Sequence, residues 1–413
     1  MNTNKDISWI IRKHDEKDLT TSRKLFPVEA AYAARRFHRQ IPDYRMTRLA
    51  ALPHLSDMLG VEEIWVKDEG QRLELNSFKV LGGSFAIYRY IQKLLKMNDD
   101  ELTYDYLVSP EAHKKTGNLT FASATDGNHG RGIAWAAKKL GHDCNIYVHK
   151  YTSQARIDAI SGYGAKVKII DGNYDDAVHQ IEIDAKKNGW IIISDTSWPG
   201  YEQIPNWIMQ GYTSMILEIQ AQLSGSGVVK PTHVFIQAGV GALAASVIGF
   251  YHTLFGQDAP KCIVVEPENA ACLYETAKIA DGKIHNVKGN LNTIMAGLAC
   301  GDPSPLAWSV LKDTADAFVK VPDYVAARGM RILATPLKDD PVIISGESGA
   351  VTVGALYSLL TEEPAKELKD FLEINKDSQI LFINTEGNTD PRKFRQIIWD
   401  GVDAVPHNFL TQK

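Results

Sequence analysis

Short apolar runs alternating with stretches of helical period, and glycine-rich turns where a run gives way to a helix, predict an α/β protein. Strands separated by helices need crossover connections, so the sheets are expected to be parallel. At 413 residues the chain has room for two lobes, and the polar stretch Met97 to Asn118, with turn signals at Ser109-Pro110 and Gly117-Asn118, is expected to link them. The expected division is a larger domain of residues 1–99 and 201–413 and a smaller inserted α/β domain of residues 100–200.

The first sixty residues mix short helical patterns with Pro27, Pro42 and Pro53, and read as a lead-in that wraps the body, with one helix over Ala30 to Arg39. Glu63 to Glu69 reads as a strand ending in charge. After it, Phe85, Ala86, Ile87, Tyr90, Ile91 and Leu94 recur with helical spacing. The inserted domain follows as strands Leu119–Ser123, Cys144–His149, Lys166–Ile170 and Trp190–Ser194, with helices over Gly130–Leu140, Ser153–Tyr163 and Tyr174–Lys187 between them. A long helix over Ile204–Leu223 leads back to the larger domain, whose strands are expected at His233–Gln237, Lys261–Val265, Val342–Ser345 and Ile380–Asn384. No fixed-period repeat or low-complexity tract interrupts this order.

The formal net charge of −5 offers no basic field for nucleic acid, so a small ligand is expected. The N-terminus carries no apolar signal core, and no apolar run reaches the length of a bilayer span, so no membrane partner is expected. Four cysteines without a Cys-x-x-Cys pair point to reduced thiols and a cytoplasmic setting; whether Cys272 and Cys300 meet is left to the fold. The twelve histidines show no ligand spacing, and no catalytic metal is expected.

Lys79 stands where the strand over Glu63–Glu69 gives way to a helix, inside Asn76-Ser77-Phe78-Lys79-Val80-Leu81-Gly82-Gly83, an address at which α/β proteins place functional groups. Three further loops share that setting. Ala238-Gly239-Val240-Gly241-Ala242-Leu243 follows a strand and opens an apolar helix, so its N–H groups and the helix N-terminus suit a phosphate. The same residues fit a G-x-G-x-x-A dinucleotide turn, with Glu266 placed to meet a ribose, and the motif alone leaves both open. Ser123-Ala124-Thr125-Asp126-Gly127-Asn128-His129-Gly130 again joins strand to helix; its N–H groups and the Thr125 hydroxyl suit a carboxylate, and a plain helix-capping turn explains it equally. In Phe382-Ile383-Asn384-Thr385-Glu386-Gly387-Asn388 a strand ends in a hydroxyl able to meet a neutral ring nitrogen, and Gly346-Glu347-Ser348-Gly349-Ala350 is a related loop.

Taken together, Ser77-Phe78-Lys79, Gly127-Asn128-His129, Gly239-Val240-Gly241 and Thr385-Glu386-Gly387-Asn388 resemble, in order and spacing, the pyridoxal phosphate enzymes of the tryptophan synthase β family, fold type II. The resemblance runs from about Tyr44 to Asn388. It gives a reason for the lysine and the second loop, which a nicotinamide-dependent dehydrogenase does not. Within the group, Thr125-Asp126-Gly127-Asn128-His129-Gly130 is similar to the ammonia-lyases acting on 2,3-diaminopropionate, whereas relatives such as threonine dehydratase usually carry Ser-Ala-Gly-Asn-His there. Ile294-Met295-Ala296-Gly297-Leu298 and Asp195-Thr196-Ser197-Trp198-Pro199-Gly200-Tyr201 are similar to the same lyases.

The resemblance implies two lobes with the active site in the cleft between them, a homodimer, and an amino acid substrate. Lys79 is implied to hold pyridoxal 5'-phosphate as a Schiff base, with Phe78 beside it, the phosphate on Ala238, Gly239, Val240, Gly241 and Ala242, Asn128 near the ring oxygen and Thr385 near the ring nitrogen. A hydroxyl at Thr385 leaves that nitrogen unprotonated, which favours elimination over transamination. Thr125, Asp126, Gly127 and His129 are implied to hold substrate, and Lys79, Asp126 and Asp195 to move protons. The implied reaction converts 2,3-diaminopropionate through an aminoacrylate to pyruvate and two ammonia; a serine/threonine dehydratase is the alternative.

Overall fold

Val, Ile, Phe and Ala fill the apolar runs, and a parallel sheet covered on both faces takes such runs because every side chain in it is buried. The computed structural model describes residues 7–125, 127–172, 174–362 and 365–404. Its strands are β1 (Ser8–Ile11), β2 (Leu49–Ala51), β3 (Glu63–Asp68), β4 (Thr120–Ala124), β5 (Asp143–His149), β6 (Lys166–Ile170), β7 (Ile191–Ile192), β8 (His233–Gln237), β9 (Lys261–Pro267), β10 (Ala317–Val321) and β11 (Gln379–Asn384). They form two sheets, ordered β1-β10-β9-β8-β11-β3-β2 and β6-β5-β4-β7. The five central strands of the first sheet run parallel, and β1 and β2 close its edges antiparallel. All pairs in the second sheet are parallel. The α/β class with parallel sheets is therefore as expected.

Packing divides the chain into two units. One holds the residues to Pro27, Thr47–Gln71 and the residues from Glu218; the other holds Val28–Met46 and Arg72–Leu217. The seven-stranded sheet belongs to the first, where Ile64, Val66, Phe235, Val265, Val319 and Phe382 enter one apolar core. The four-stranded sheet belongs to the second, with Ala122, Tyr147, Ala177 and Ile181 packed together.

The second unit thus starts before residue 100 and runs past 200, which differs from the expected boundaries. Two helices account for the difference at its start. A Cβ on Gly132 would lie 3.0 Å from both N and Cα of Val80, and one on Gly83 would lie 2.6 Å from Ile133 Cδ1. The Lys79–Leu95 and Asn128–Lys139 helices therefore approach backbone to backbone, which ties Lys79 to the smaller sheet.

Val342–Ser345 is not a strand. Val342 and Ile344 are 55 % and 42 % exposed, and the Ile343 N–H donates to the Leu333 carbonyl at 3.0 Å instead of joining a ladder. The Met97 to Asn118 stretch contains helices Tyr104–Leu107 and Pro110–Thr116, each started by a hydroxyl cap, from Thr103 and Ser109. Trp190–Ser194 contracts to the two-residue β7, whereas β1, β2 and β10 join the first sheet beyond the expected strands.

Candidate active site

Lys79 opens its helix and the Lys79 N–H donates to Ser77 Oγ at 3.4 Å. Its half-buried Nζ donates to the carboxylate of Asp195, 116 positions along the chain. Burial pushes the Asp195 carboxyl up, but the charges of Lys79 and His129 and the Lys79 hydrogen bond outweigh it and hold the group below the ordinary carboxylate range. Asp195 is therefore an anion set against a cation. Phe78 is buried against Tyr212, ring centroids 4.7 Å apart, and its own ring lies 5.5 Å from Lys79 Nζ.

Three side chains fix the segment that carries Asp195. Ser123 Oγ donates to the Ile193 carbonyl at 2.8 Å, and His129 Nε2 lies 2.9 Å from the same oxygen. A carbonyl accepts, so Nε2 carries the hydrogen. Nδ1 then faces Asp195 Oδ2 at 3.9 Å, too far for a hydrogen bond and close enough for charge to be felt. The Tyr201 hydroxyl donates to the Ile192 carbonyl at 2.8 Å and accepts from the Ser194 N–H at 3.0 Å, while its ring stacks on Trp198 at 4.1 Å.

Within the 123–130 loop, Thr125 Oγ1 accepts from the N–H groups of Gly127 and Gly130 at 3.0 and 3.1 Å. Those two N–H groups, expected to face a carboxylate, are thus spent inside the loop. Gly127 has φ +151°, and Asn128 begins the helix behind it. Asp126 lies outside the described residues.

In the other unit, β8 ends at Gln237 and the Ala242–Phe255 helix starts five residues later. Ala238 and Gly241 are buried, and the Ala238 N–H is tied to the Val265 carbonyl at 2.9 Å. The Val240 carbonyl accepts from Ser304 N–H, so the turn is held from outside. A Cβ on Gly239 would lie 3.2 Å from Cys300 Sγ and 3.3 Å from Leu298 Cα. Gly241, at φ +98°, turns the chain into the helix, a conformation glycine adopts freely. All four cysteines are free thiols; Cys272 Sγ contacts the Gly239 carbonyl at 3.5 Å.

Glu266 serves a different purpose from the one the dinucleotide pattern needs. It is wholly buried and accepts from the N–H groups of Leu273 and Tyr274 at 2.8 and 2.7 Å, at the start of the Cys272–Ile279 helix. Both oxygens are engaged by the protein itself.

Two more loops meet in this unit. The Gly346 N–H donates to the Glu386 carbonyl at 3.0 Å, the Ser348 N–H to Glu386 Oε1 at 3.2 Å, and Ser345 Oγ to Asn384 Oδ1 at 2.7 Å. A Cβ on Gly349 would lie 2.3 Å from Asn384 Oδ1, so glycine is what lets the Glu347–Thr361 helix start there. Thr385, 4 % exposed, accepts from Gln237 Nε2 at 2.8 Å.

The structure brings Lys79, Phe78, His129 and Asp195 together in one unit, and the 238–242 turn, the 345–350 loop and Thr385 together in the other. Sequence reasoning does not pick out Tyr201 or Gln237 as functional. The first lies in a stretch similar to the lyases but with no role of its own; the second is a lone amide at a strand end, a position that carries no motif. Among the described residues there is no cluster of metal-ligating side chains, and no helix is long and apolar enough to cross a membrane.

Residues 41–386 match the family described as pyridoxal-phosphate dependent enzyme. The chain is 44 % identical to the diaminopropionate ammonia-lyase of Escherichia coli (strain K12), over 92 % of this chain and 94 % of that one. It is 43 % identical to the diaminopropionate ammonia-lyase of Salmonella typhimurium (strain LT2), over 89 % and 91 %. Among solved structures it is similar to the Escherichia coli enzyme in complex with an aminoacrylate-PLP azomethine reaction intermediate, with a TM-score of 0.88 and 41 % identity, covering 97 % of this chain and 98 % of that one.

Proposed function

The chain belongs to the pyridoxal-phosphate dependent enzymes and, among them, to the diaminopropionate ammonia-lyases, and is a lyase working with that cofactor; from this premise we propose that its substrate is 2,3-diaminopropionate. One molecule of substrate and one of water give one pyruvate and two ammonia, one lost by elimination and one by hydrolysis. The observation that carries the reading is the Lys79–Asp195 pair, an amine at the start of a helix held by a buried carboxylate.

The residues present fit the cofactor. The Gly239 turn leaves little room for a Cβ and presents the start of a helix, and Thr385 places a buried hydroxyl at a strand end. Bound there, pyridoxal phosphate supplies an electron sink that lowers the cost of removing the Cα proton. Lys79 would hold it through Nζ, Phe78 would pack beside it, and Ala238, Gly239, Val240, Gly241 and Ala242 would seat the phosphate. Asn128 would meet the ring oxygen and Thr385 the ring nitrogen.

Lys79 gives and takes the proton at Nζ, and the Asp195 carboxylate, held charged, orients that amine and steadies its ammonium form. Asp126 brings a second negative charge, suited to the substrate β-ammonium or to the Cα proton of one enantiomer. Gly127 and His129 shape the substrate side of that loop, and Thr125 supports it. Changing Asp126 to Ala is expected to spare cofactor absorption and collapse turnover; equal activity in the variant would remove it from the mechanism. The homodimer and the cytoplasmic setting belong to the same proposal, the latter supported by four free thiols.

The deciding assay measures ammonia and pyruvate from D- and L-2,3-diaminopropionate and from serine. Two ammonia per pyruvate, with the diamino acid preferred, is the expected result. One ammonia per pyruvate with serine as the better substrate would make the enzyme a dehydratase.

A further inference from the structure

Gln237 closes β8 one residue before the Ala238–Ala242 turn, and it is 1 % exposed. Its Nε2 lies 3.0 Å from the Ile383 carbonyl oxygen and 2.8 Å from Thr385 Oγ1. A carbonyl has no hydrogen to give, so the amide must turn its NH2 toward Ile383. That group has two hydrogens, and both are then committed, one to Ile383 and one to Thr385. The amide oxygen has no partner among the described residues, so Ile383 and Thr385 alone set the orientation.

With Gln237 as donor, Thr385 Oγ1 is an acceptor in that bond and its own hydrogen must point elsewhere. Among the described residues no acceptor takes that hydrogen. We propose that Gln237 is a positioning residue that makes Thr385 a donor toward the cofactor and so keeps the ring nitrogen of pyridoxal phosphate unprotonated. The proposal rests on the reading of Thr385 as the partner of that nitrogen. A neutral pyridine nitrogen offers a lone pair and accepts the hydroxyl; a pyridinium N–H would leave the buried hydroxyl hydrogen without an acceptor. The electronic state of the ring is thus set two side chains away, by a peptide carbonyl of β11.

The test is Q237E, which keeps the shape and inverts the bond. A buried carboxyl beside the Ile383 carbonyl takes a proton, and its single hydrogen goes to Ile383. The oxygen standing in place of Nε2 then accepts from Thr385, which turns a lone pair toward the ring. Wild type, Q237E, Q237M and T385V are reconstituted with pyridoxal phosphate carrying nitrogen-15 in the ring, and the ring-nitrogen NMR shift is read. Wild type should lie in the neutral pyridine range and Q237E should move toward pyridinium. Q237M should move the same way by less, since the hydroxyl is then able to turn to Ile383; it also carries the test if Q237E does not fold. A shift in T385V with none in Q237E or Q237M overturns the role of Gln237 and keeps that of Thr385. A wild-type shift retained in T385V overturns both, and a pyridinium signal in wild type overturns the proposal directly.

Discussion

Asp195 and Glu266 are both buried acids just beyond or at the end of a strand, in different units of the chain, and their surroundings drive them apart. Asp195 faces the Lys79 ammonium and is held ionised below the usual carboxylate range in spite of its burial. Glu266 has only two backbone N–H groups against full burial, and burial wins, pushing it from 4.5 up to about 8. A side-chain cation suits the first to the proposed proton transfer at Lys79; peptide groups make the second a helix cap. The same contrast separates the two functions open at the Gly239 turn, since the dinucleotide alternative needs Glu266 free for a ribose and the proposed lyase mechanism uses Asp195 beside an amine.

Removing the cation tests the contrast most severely. Lys79→Ala should lower kcat by about 10⁴-fold, the upper range for loss of an acid–base group, and leave Asp195 with its burial uncompensated. Steady-state kinetics with pyruvate detection measures the first effect, and a rise in the Asp195 pKa, followed by NMR, measures the second. Asp195→Asn comes next. It should cost about 10²-fold in kcat with KM little changed, and unequal losses for the D- and L-substrates would show that it serves one face of Cα.

Glu266 supplies the pH arm. Its pKa is higher folded than unfolded, so its neutral form suits the folded state and costs nothing below about pH 4.5. As pH rises from 4.5 through about 8, ionisation costs stability, and above 8 the loss levels off. The stability of wild type, read from denaturant midpoints, should therefore fall over that window relative to Glu266→Gln, by about 1.4 kcal/mol for each pH step of one crossed. A flat difference across the window would contradict the assigned cause. Asp195 has the opposite sign: its pairing contributes stability above about pH 3.8 and loses it as pH falls further.

The smallest effect is expected at Gly132, where an added methyl meets Val80 backbone at 3.0 Å. Gly132→Ala should cost about 1–3 kcal/mol by overpacking and shift the start of the Lys79 helix, so that kcat falls together with Tm. A stable variant with full activity would show that the helices can slide apart without moving Lys79.

Much of this arrangement is legible in the chain. Glycine turns after apolar runs mark where β3, β4, β8 and β11 deliver their loops, because positive φ and helix starts impose residue types. Antiparallel edges are harder: β1 is four half-buried residues and β2 only three residues of mixed burial, too few for a period. Val342–Ser345 shows the reverse error, a strand-like run whose alternate residues face outward with no ladder to join. Pairing at a distance is what the sequence carries least. Thr125 turns its hydroxyl inward onto Gly127 and Gly130, and the Gln237 amide gains its meaning only from Ile383 and Thr385.

The central claim is that Lys79 is the residue that holds pyridoxal phosphate. Borohydride reduction of the holoenzyme followed by peptide mapping tests it directly. A reduced pyridoxyl group on the peptide containing Lys79, absent from Lys79→Ala, is the predicted result. The same mass on another lysine, such as Lys67, which is buried in an ion pair with Glu218, would contradict the account.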